Sequence, residues 1–278
     1  MKKFLKLIIT IINLPFVIIS IIDSKNILKE HKIGFMKRFV LGFRFCYNHL
    51  RVETGTPPQI SLIMAMKLLT ISPNIKGVVV ECGTFKGGNA ANLSIICKMV
   101  GRRLLIMDSF EGLPELDADD REAKEYKKGE WCGSLNEVKK NIRRYGNIEV
   151  CEFIQGWFSD TMPNLKESIV LAYLDVDLEA SLDTCVRYIW PNLVEKGYLF
   201  SDECVGTGYT SLFYSEKWWK NNFNQLPPGF IGAGTGLSFG NVYVGPYENF
   251  YKSKNPFQQP GTGGYTFKGM IGYWSYYK

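Results

Sequence analysis

Histidine is nearly absent: among 278 residues there are only His31 and His49. That scarcity argues against a histidine-based nucleophilic triad and a histidine-rich zinc site, and so assigns acid–base work to carboxylates. The seven cysteines, Cys46, Cys82, Cys97, Cys132, Cys151, Cys185 and Cys204, contain no C-x-x-C pair and read as reduced, mostly buried thiols of a reducing compartment. Neither a G-x-G-x-x-G dinucleotide fingerprint at the first strand nor a G-x-x-x-x-G-K-[ST] phosphate loop is present. There is no internal repeat and no low-complexity linker. With 46% of its residues hydrophobic, the chain is long enough to bury a substantial core as one domain with elaborations.

What is there alternates between strand and helix. Thr56-Pro57-Pro58-Gln59 reads as an N-cap, first-turn prolines and a capping glutamine ahead of a helix over Ile60–Leu69. Val78–Cys82 reads as a buried strand, Asn89–Val100 as a helix, and Leu104–Met107 as a strand ending in Asp108. Ser134-Leu135-Asn136-Glu137 is a capping box opening a helix to about Arg144, and Ile148–Ile154 reads as a third strand. Two more strands, Ile169–Leu174 and Gly197–Phe200, flank a helix over Ala180–Ile189. Such alternation is the signature of a parallel sheet covered on both faces.

Chemistry concentrates at the carboxyl ends of these strands, where open α/β sheets bind ligands. After Val78–Glu81 come Gly83 and Gly87-Gly88, a turn that lets backbone approach a ligand while helix N–H groups face it. Asp108 can accept hydrogen bonds from both hydroxyls of a ribose, or it caps a turn. Asp175 and Asp177, two apart in extended chain, point to one face, and Asp202-Glu203 ends the next strand. Buried carboxylates need a cation or an arginine, and oxygen ligands of this type suit magnesium or calcium. The competing reading is that these acids cap the following helices.

Two stretches depart from the rhythm. Glu115–Glu130 is highly charged without apolar period and is either a lid or a solvated loop. From Gly206 onward the chain is dense in aromatics, interleaved with glycine and proline, which suits an acceptor-binding region or a packing layer equally. Cations gather early, at Lys2, Lys3, Lys6, Lys25, Lys29, Lys32, Lys37, Arg38, Arg44 and Arg51, around the run Leu7–Ile22. That run is shorter than the ~20 residues of a spanning helix and is interrupted by Asn13 and Pro15. It reads as an interfacial anchor on anionic lipid, as a helix packed on the domain or a partner subunit, or as a cleaved signal.

The strings Val79–Gly88, Met107–Pro114, Gln155–Pro163, Leu174–Leu178 and Ser201–Glu203, in this order, resemble the macrocin and mycinamicin sugar O-methyltransferases, a family whose relatives include aminocoumarin sugar methyltransferases. The resemblance runs from about Thr54 to Glu203 and returns at Tyr273-Trp274. It implies a Rossmann-like class I fold: an α/β, mostly parallel seven-stranded sheet, helices on both faces and an antiparallel last strand. It implies S-adenosylmethionine and a divalent metal, usually magnesium, as cofactors. Cofactor-binding positions would be Glu81, Gly83, Thr84, Phe85, Gly87, Gly88, Asp108, Ser109 and Phe110, with Gly156 and Trp157 near the adenine. Asp175, Asp202 and Glu203 would hold the metal, and Asp177 would be the general base. The family commonly shows two aspartates and a tyrosine where this chain has Asp202-Glu203-Cys204.

The expected organisation is residues 1–50 as a hydrophobic and basic segment, 51–205 as the cofactor-binding core, and 206–278 as completion of the sheet with the acceptor region. The expected acceptor is a sugar or glycosylated molecule, with no nucleic-acid partner. A membrane surface met through residues 1–22 and a second copy of the chain are further candidate partners, in the cytoplasm or on the inner face of its membrane. Three rivals stand beside this reading: a metal-dependent glycosyltransferase using D-x-D, a methyltransferase for a phenolic molecule, and a membrane-tethered binding protein with a relic cofactor fold.

Overall fold

A computed structural model describes residues 11, 14, 27–116, 126–202, 212–213, 215–231, 243–244 and 264–269. The chain forms two compact units, one of residues 1–73 and 81–161, the other of residues 74–80 and 162–278. Strand β1 (Val78–Cys82) contributes its last two residues to the first and its first three to the second.

In the first unit the strand order is β3-β2-β1. β2 (Leu104–Asp108) and β3 (Cys151–Gln155) pair in parallel, with Leu104 opposite Cys151 and Asp108 opposite Gln155. β1 is buried along its whole length, as the apolar run Val78–Val80 requires of a strand covered on both faces. Helices Phe35–Arg51, Pro58–Leu68, Gly88–Val100 and Leu135–Tyr145 belong here. The last begins where expected, Ser134 Oγ accepting from the Glu137 N–H at 3.3 Å, and it buries Val138 and Ile142 one turn apart. Two expectations shift. The second helix is capped by Pro57 with no side-chain hydrogen bond, so Thr56 is not its N-cap. Ile148–Val150 is a 3₁₀ turn, and β3 begins only at Cys151.

In the second unit the order is β1-β4-β5-β8-β6-β7. β4 (Ile169–Leu174) is wholly buried and runs parallel to β5 (Leu193–Ser201), with Tyr173 opposite Phe200. β8 (Gly264–Phe267) returns antiparallel to β5, and β6 (Phe230–Ile231) and β7 (Tyr243–Val244) extend the antiparallel edge. The Rossmann-like α/β class holds, but the described residues form eight strands and the antiparallel part exceeds a single strand. Helix Glu179–Asn192 links β4 to β5, and helix Glu216–Phe223 is capped by Ser215, whose Oγ accepts from the Trp218 N–H.

Described aromatics of the tail act as packing. Trp219 is fully buried, its ring 4.8 Å from that of Trp190, and its indole N–H donates to the Leu212 carbonyl at 2.7 Å. Tyr265 packs against Tyr198 and Phe200. Of residues 1–22, the expected anchor, only Ile11 and Leu14 are described, and residues 117–125 of the charged loop lie outside the described residues. Among the described residues no helix is long and apolar enough to cross a membrane.

Candidate active site

The first unit gathers two carboxyls at the ends of β1 and β2. Glu81 has no exposed surface. Its Oε1 accepts from the Asn89 amide at 2.8 Å and its Oε2 from the Thr84 hydroxyl at 3.0 Å. Burial pushes its pKa from 4.5 up to about 8, against the pull of those two donors, with Asp108 adding to the rise. Asp108 accepts the Thr84 N–H at 2.7 Å on Oδ2 and the Phe110 N–H at 2.6 Å on Oδ1. Burial raises its pKa as well, and hydrogen bonds from Thr84, Phe110 and Phe85 oppose the rise. Asp108 therefore organises both turns, the capping role left open by the sequence. Three backbone donors against about four lone-pair sites leave one for a ligand hydroxyl.

The loop after β1 is held in conformations that few residues adopt. Gly83 and Gly87 have φ +78°, Phe85 +46° and, in the second turn, Phe110 +58°. A left-handed non-glycine residue costs on the order of 1–2 kcal/mol, so two phenylalanines in it mark a backbone shaped for more than connection. At Gly88 a Cβ would come within 2.7 Å of Thr54 Cβ. Ser109 spends its hydroxyl inside the turn, donating to the Gly112 carbonyl and accepting from the Glu111 N–H, both at 3.1 Å. Gly156 joins this region, its N–H donating to the Asp108 carbonyl at 3.0 Å, and Trp157 follows with its ring partly exposed. All eleven expected cofactor residues thus lie at the carboxyl ends of β1, β2 and β3.

Sequence reasoning missed what stands behind Glu81. Asn48 donates to Asn92 at 2.9 Å, Asn92 to Ser61 at 3.1 Å, Ser61 to Asn89 at 2.7 Å, and Asn89 to Glu81. This buried polar chain crosses three helices. Its signal was faint: single polar residues within apolar helical runs, such as Ser61 between Ile60 and Leu62.

In the second unit, Asp175 follows the last residue of β4, and Asp202 extends β5 with its N–H donating to the Leu174 carbonyl at 2.8 Å. The buried Tyr173 hydroxyl lies 3.0 Å from Asp202 Oδ1 and 3.3 Å from Asp175 Oδ2. A phenol has one proton to donate, so it cannot satisfy two ionised carboxylates at once. Burial raises the Asp202 pKa, against the Tyr173 hydrogen bond. Asp177 is pushed up to about 6 by burial and then by the charge of Asp202. Its position is reached otherwise than expected: φ is +58° and the Leu178 N–H closes a tight turn on Val176, so Asp177 is not in extended chain with Asp175. Tyr173 was not foreseen. Glu203 lies outside the described residues, and among those described no three acidic, histidine or cysteine side chains close into a metal-ligand set. Asp175 and Asp202 supply two hard oxygen donors facing one hydroxyl, which fits part of such a set.

Residues 63–216, more than half of the chain, match the family model described as macrocin O-methyltransferase (TylF). The chain belongs to that family. Both groups of acids fall within the matched residues. The family model is named for methyl transfer. The chain is 31% identical over 143 residues to the 8-demethyl-8-(2,3-dimethoxy-alpha-L-rhamnosyl)-tetracenomycin-C 4'-O-methyltransferase of Streptomyces olivaceus, covering 48% of this chain and 55% of that one. It is 28% identical over 144 residues to the mycinamicin III 3''-O-methyltransferase of Micromonospora griseorubida, covering 47% and 57%. The matches thus span about half the length of these curated relatives. The solved structure of the O-methyltransferase NovP superposes with a TM-score of 0.50 at 20% identity, covering 76% of this chain and 79% of that one, and shows the shared fold.

Proposed function

We propose that this protein moves a methyl group from S-adenosylmethionine to a hydroxyl of a sugar or glycosylated acceptor, assisted by a divalent cation, magnesium being the natural choice. The observation that carries the reading is the family match over residues 63–216, which contains every donor-side and acid-side residue. The first unit's chemistry supports the donor. Glu81 and Asp108 are buried carboxyls whose pKa values rise with no basic side chain among the causes, an environment that a sulfonium and an ammonium would relieve. The curated relatives' names, both of sugar-directed O-methyltransferases, support the acceptor class.

The donor supplies an electrophilic methyl group, and a bound cation would lower the pKa of the acceptor hydroxyl. Asp175 and Asp202, with Glu203, would hold that cation. Asp177, with a pKa of about 6, is mostly ionised at neutral pH and takes the hydroxyl proton as the oxygen–methyl bond forms and the methyl–sulfur bond breaks, sulfur keeping the electron pair. Glu81 and Asp108 orient the donor through the turns they brace, and Gly156-Trp157 would border its adenine.

The test combines calorimetry and turnover. S-adenosylhomocysteine should bind the purified protein, and methylation of a glycosylated acceptor should stop in excess EDTA and return with magnesium. Full turnover in EDTA would overturn the metal role. Methylation of phenols but not of glycosides would overturn the acceptor class.

A further inference from the structure

Helix Phe35–Arg51 has two apolar faces where a surface helix has one. Inward, Leu41, Phe45 and Cys46 are buried together with Asn48 and His49. Outward, Met36, Val40, Phe43, Tyr47 and Leu50 recur at intervals of four and three residues, which sets them in one stripe about 80° wide along the helix. All five are exposed, from 36% at Leu50 to 67% at Met36. This is the spacing of a buried seam, yet it faces outward.

Along one edge of the stripe runs a line of cations, Lys37, Arg44 and Arg51, each seven residues from the next and each exposed. The Arg51 guanidinium lies over the Tyr47 ring at 5.0 Å, tying the charged edge to the apolar stripe. The helix contains no aspartate or glutamate, and no ion pair among the described residues engages Lys37 or Arg44. The helix also precedes residues 63–216, so it is not part of the segment matched to the family.

The charge decides between occupants. A second copy laid on the same stripe would bring two lines of three cations along one seam with no acid between them, an arrangement that like-charge repulsion opposes. An anionic bilayer satisfies both features at once, the apolar side chains entering the headgroup–acyl boundary and the cations meeting lipid phosphates. Upstream in sequence, Lys2, Lys3 and Lys6 precede the apolar run Leu7–Ile22, a composition suited to the same surface. We propose that the outward face of helix Phe35–Arg51 is a docking surface for anionic lipid, separate from the donor and acid residues.

The experiment floats the full chain with phosphatidylcholine vesicles, with and without phosphatidylglycerol. The chain should bind the anionic vesicles and release in high salt. Lys37→Gln with Arg44→Gln should weaken that binding by about thirtyfold, the effect of two cations near a charged bilayer. Val40→Ser with Phe43→Ser should weaken it by roughly tenfold or more through lost apolar burial. All four residues are exposed, so circular dichroism and melting temperature should match the parent chain for both pairs. Anionic-vesicle binding left unchanged by both pairs would place attachment elsewhere and overturn the proposal. So would a full chain that ignores both kinds of vesicle, or a dimer that Val40→Ser with Phe43→Ser converts to monomer.

Discussion

The two groups of carboxyls are built on opposite plans. Around Glu81 and Asp108 the chain supplies its own neutral donors, Asn89, Thr84 and the backbone N–H groups of Thr84 and Phe110, and every one is fixed by short turns or a helix start. Around Asp175 and Asp202 a single phenol serves two acids, and Asp177 adds charge nearby. The first arrangement is satisfied before a ligand arrives, so what it offers is shape and a place for positive charge. The second brings two acids onto one hydroxyl, an arrangement that a cation would suit under the proposed function.

The sharpest way to break this contrast is Asp175→Asn. Loss of one of two described oxygen donors should reduce turnover by roughly a thousandfold or more if cation polarisation of the hydroxyl is lost. Binding of S-adenosylhomocysteine, followed by calorimetry, should stay within about twofold of the parent chain. If donor binding fell in parallel, the two groups would not be separable. On the donor side, Asn89→Ala removes one buried hydrogen bond each from Glu81 and Ser61, which keep Thr84 and Asn92, and should destabilise the protein by about 1–3 kcal/mol, read from urea midpoints, because an unmade buried hydrogen bond costs its desolvation.

Tyr173→Phe tests the acid side with a smaller expected effect, about 0.5–1.5 kcal/mol in stability for one hydrogen bond. Its diagnostic readout is magnesium dependence, since two acids without their shared hydroxyl should need the cation more. A stability rise on adding magnesium that is larger in Tyr173→Phe than in the parent chain is the expected result. The pH dependence of Glu81 reads the donor side separately. The folded protein keeps a proton up to about pH 8 that the unfolded chain releases near 4.5, so this group's contribution favours folding most at low pH and is lost as pH rises between those values. Glu81→Gln should flatten that part of the stability–pH curve, measured as melting temperature in a buffer series. An unchanged slope would mean that Glu81 is ionised in the folded protein.

Much of the fold could be read from local pattern. The apolar runs Val78–Val80 and Ile169–Leu174 form buried strands, the Ser134 capping box opened its helix on time, and the glycines at 83 and 87 lie in the turn expected after the first strand, both with left-handed φ. Errors came where neighbouring signals competed. Ile148–Val150 has strand-like residues but winds into a 3₁₀ turn, and the prolines after Thr56 moved the helix cap to Pro57. At the candidate site the acids were legible because a carboxylate after an apolar strand is conspicuous. Their partners were not. Tyr173 read as one more apolar strand residue, and the left-handed φ of Asp177 has no marker in its side chain.

Sequence by itself determined the strand–helix alternation, the family and the acids at the strand ends, because each is carried by residues close together in the chain. Tertiary structure alone decided that Asn48 reaches Asn92, Ser61 and Asn89 behind Glu81, that one tyrosine serves two aspartates, and that helix Phe35–Arg51 turns a second apolar stripe outward. The physical reason is that a hydrogen bond or an exposed face depends on which surfaces meet after folding. Asn48 and Asn92 lie 44 residues apart, and no local period in the sequence encodes their 2.9 Å contact.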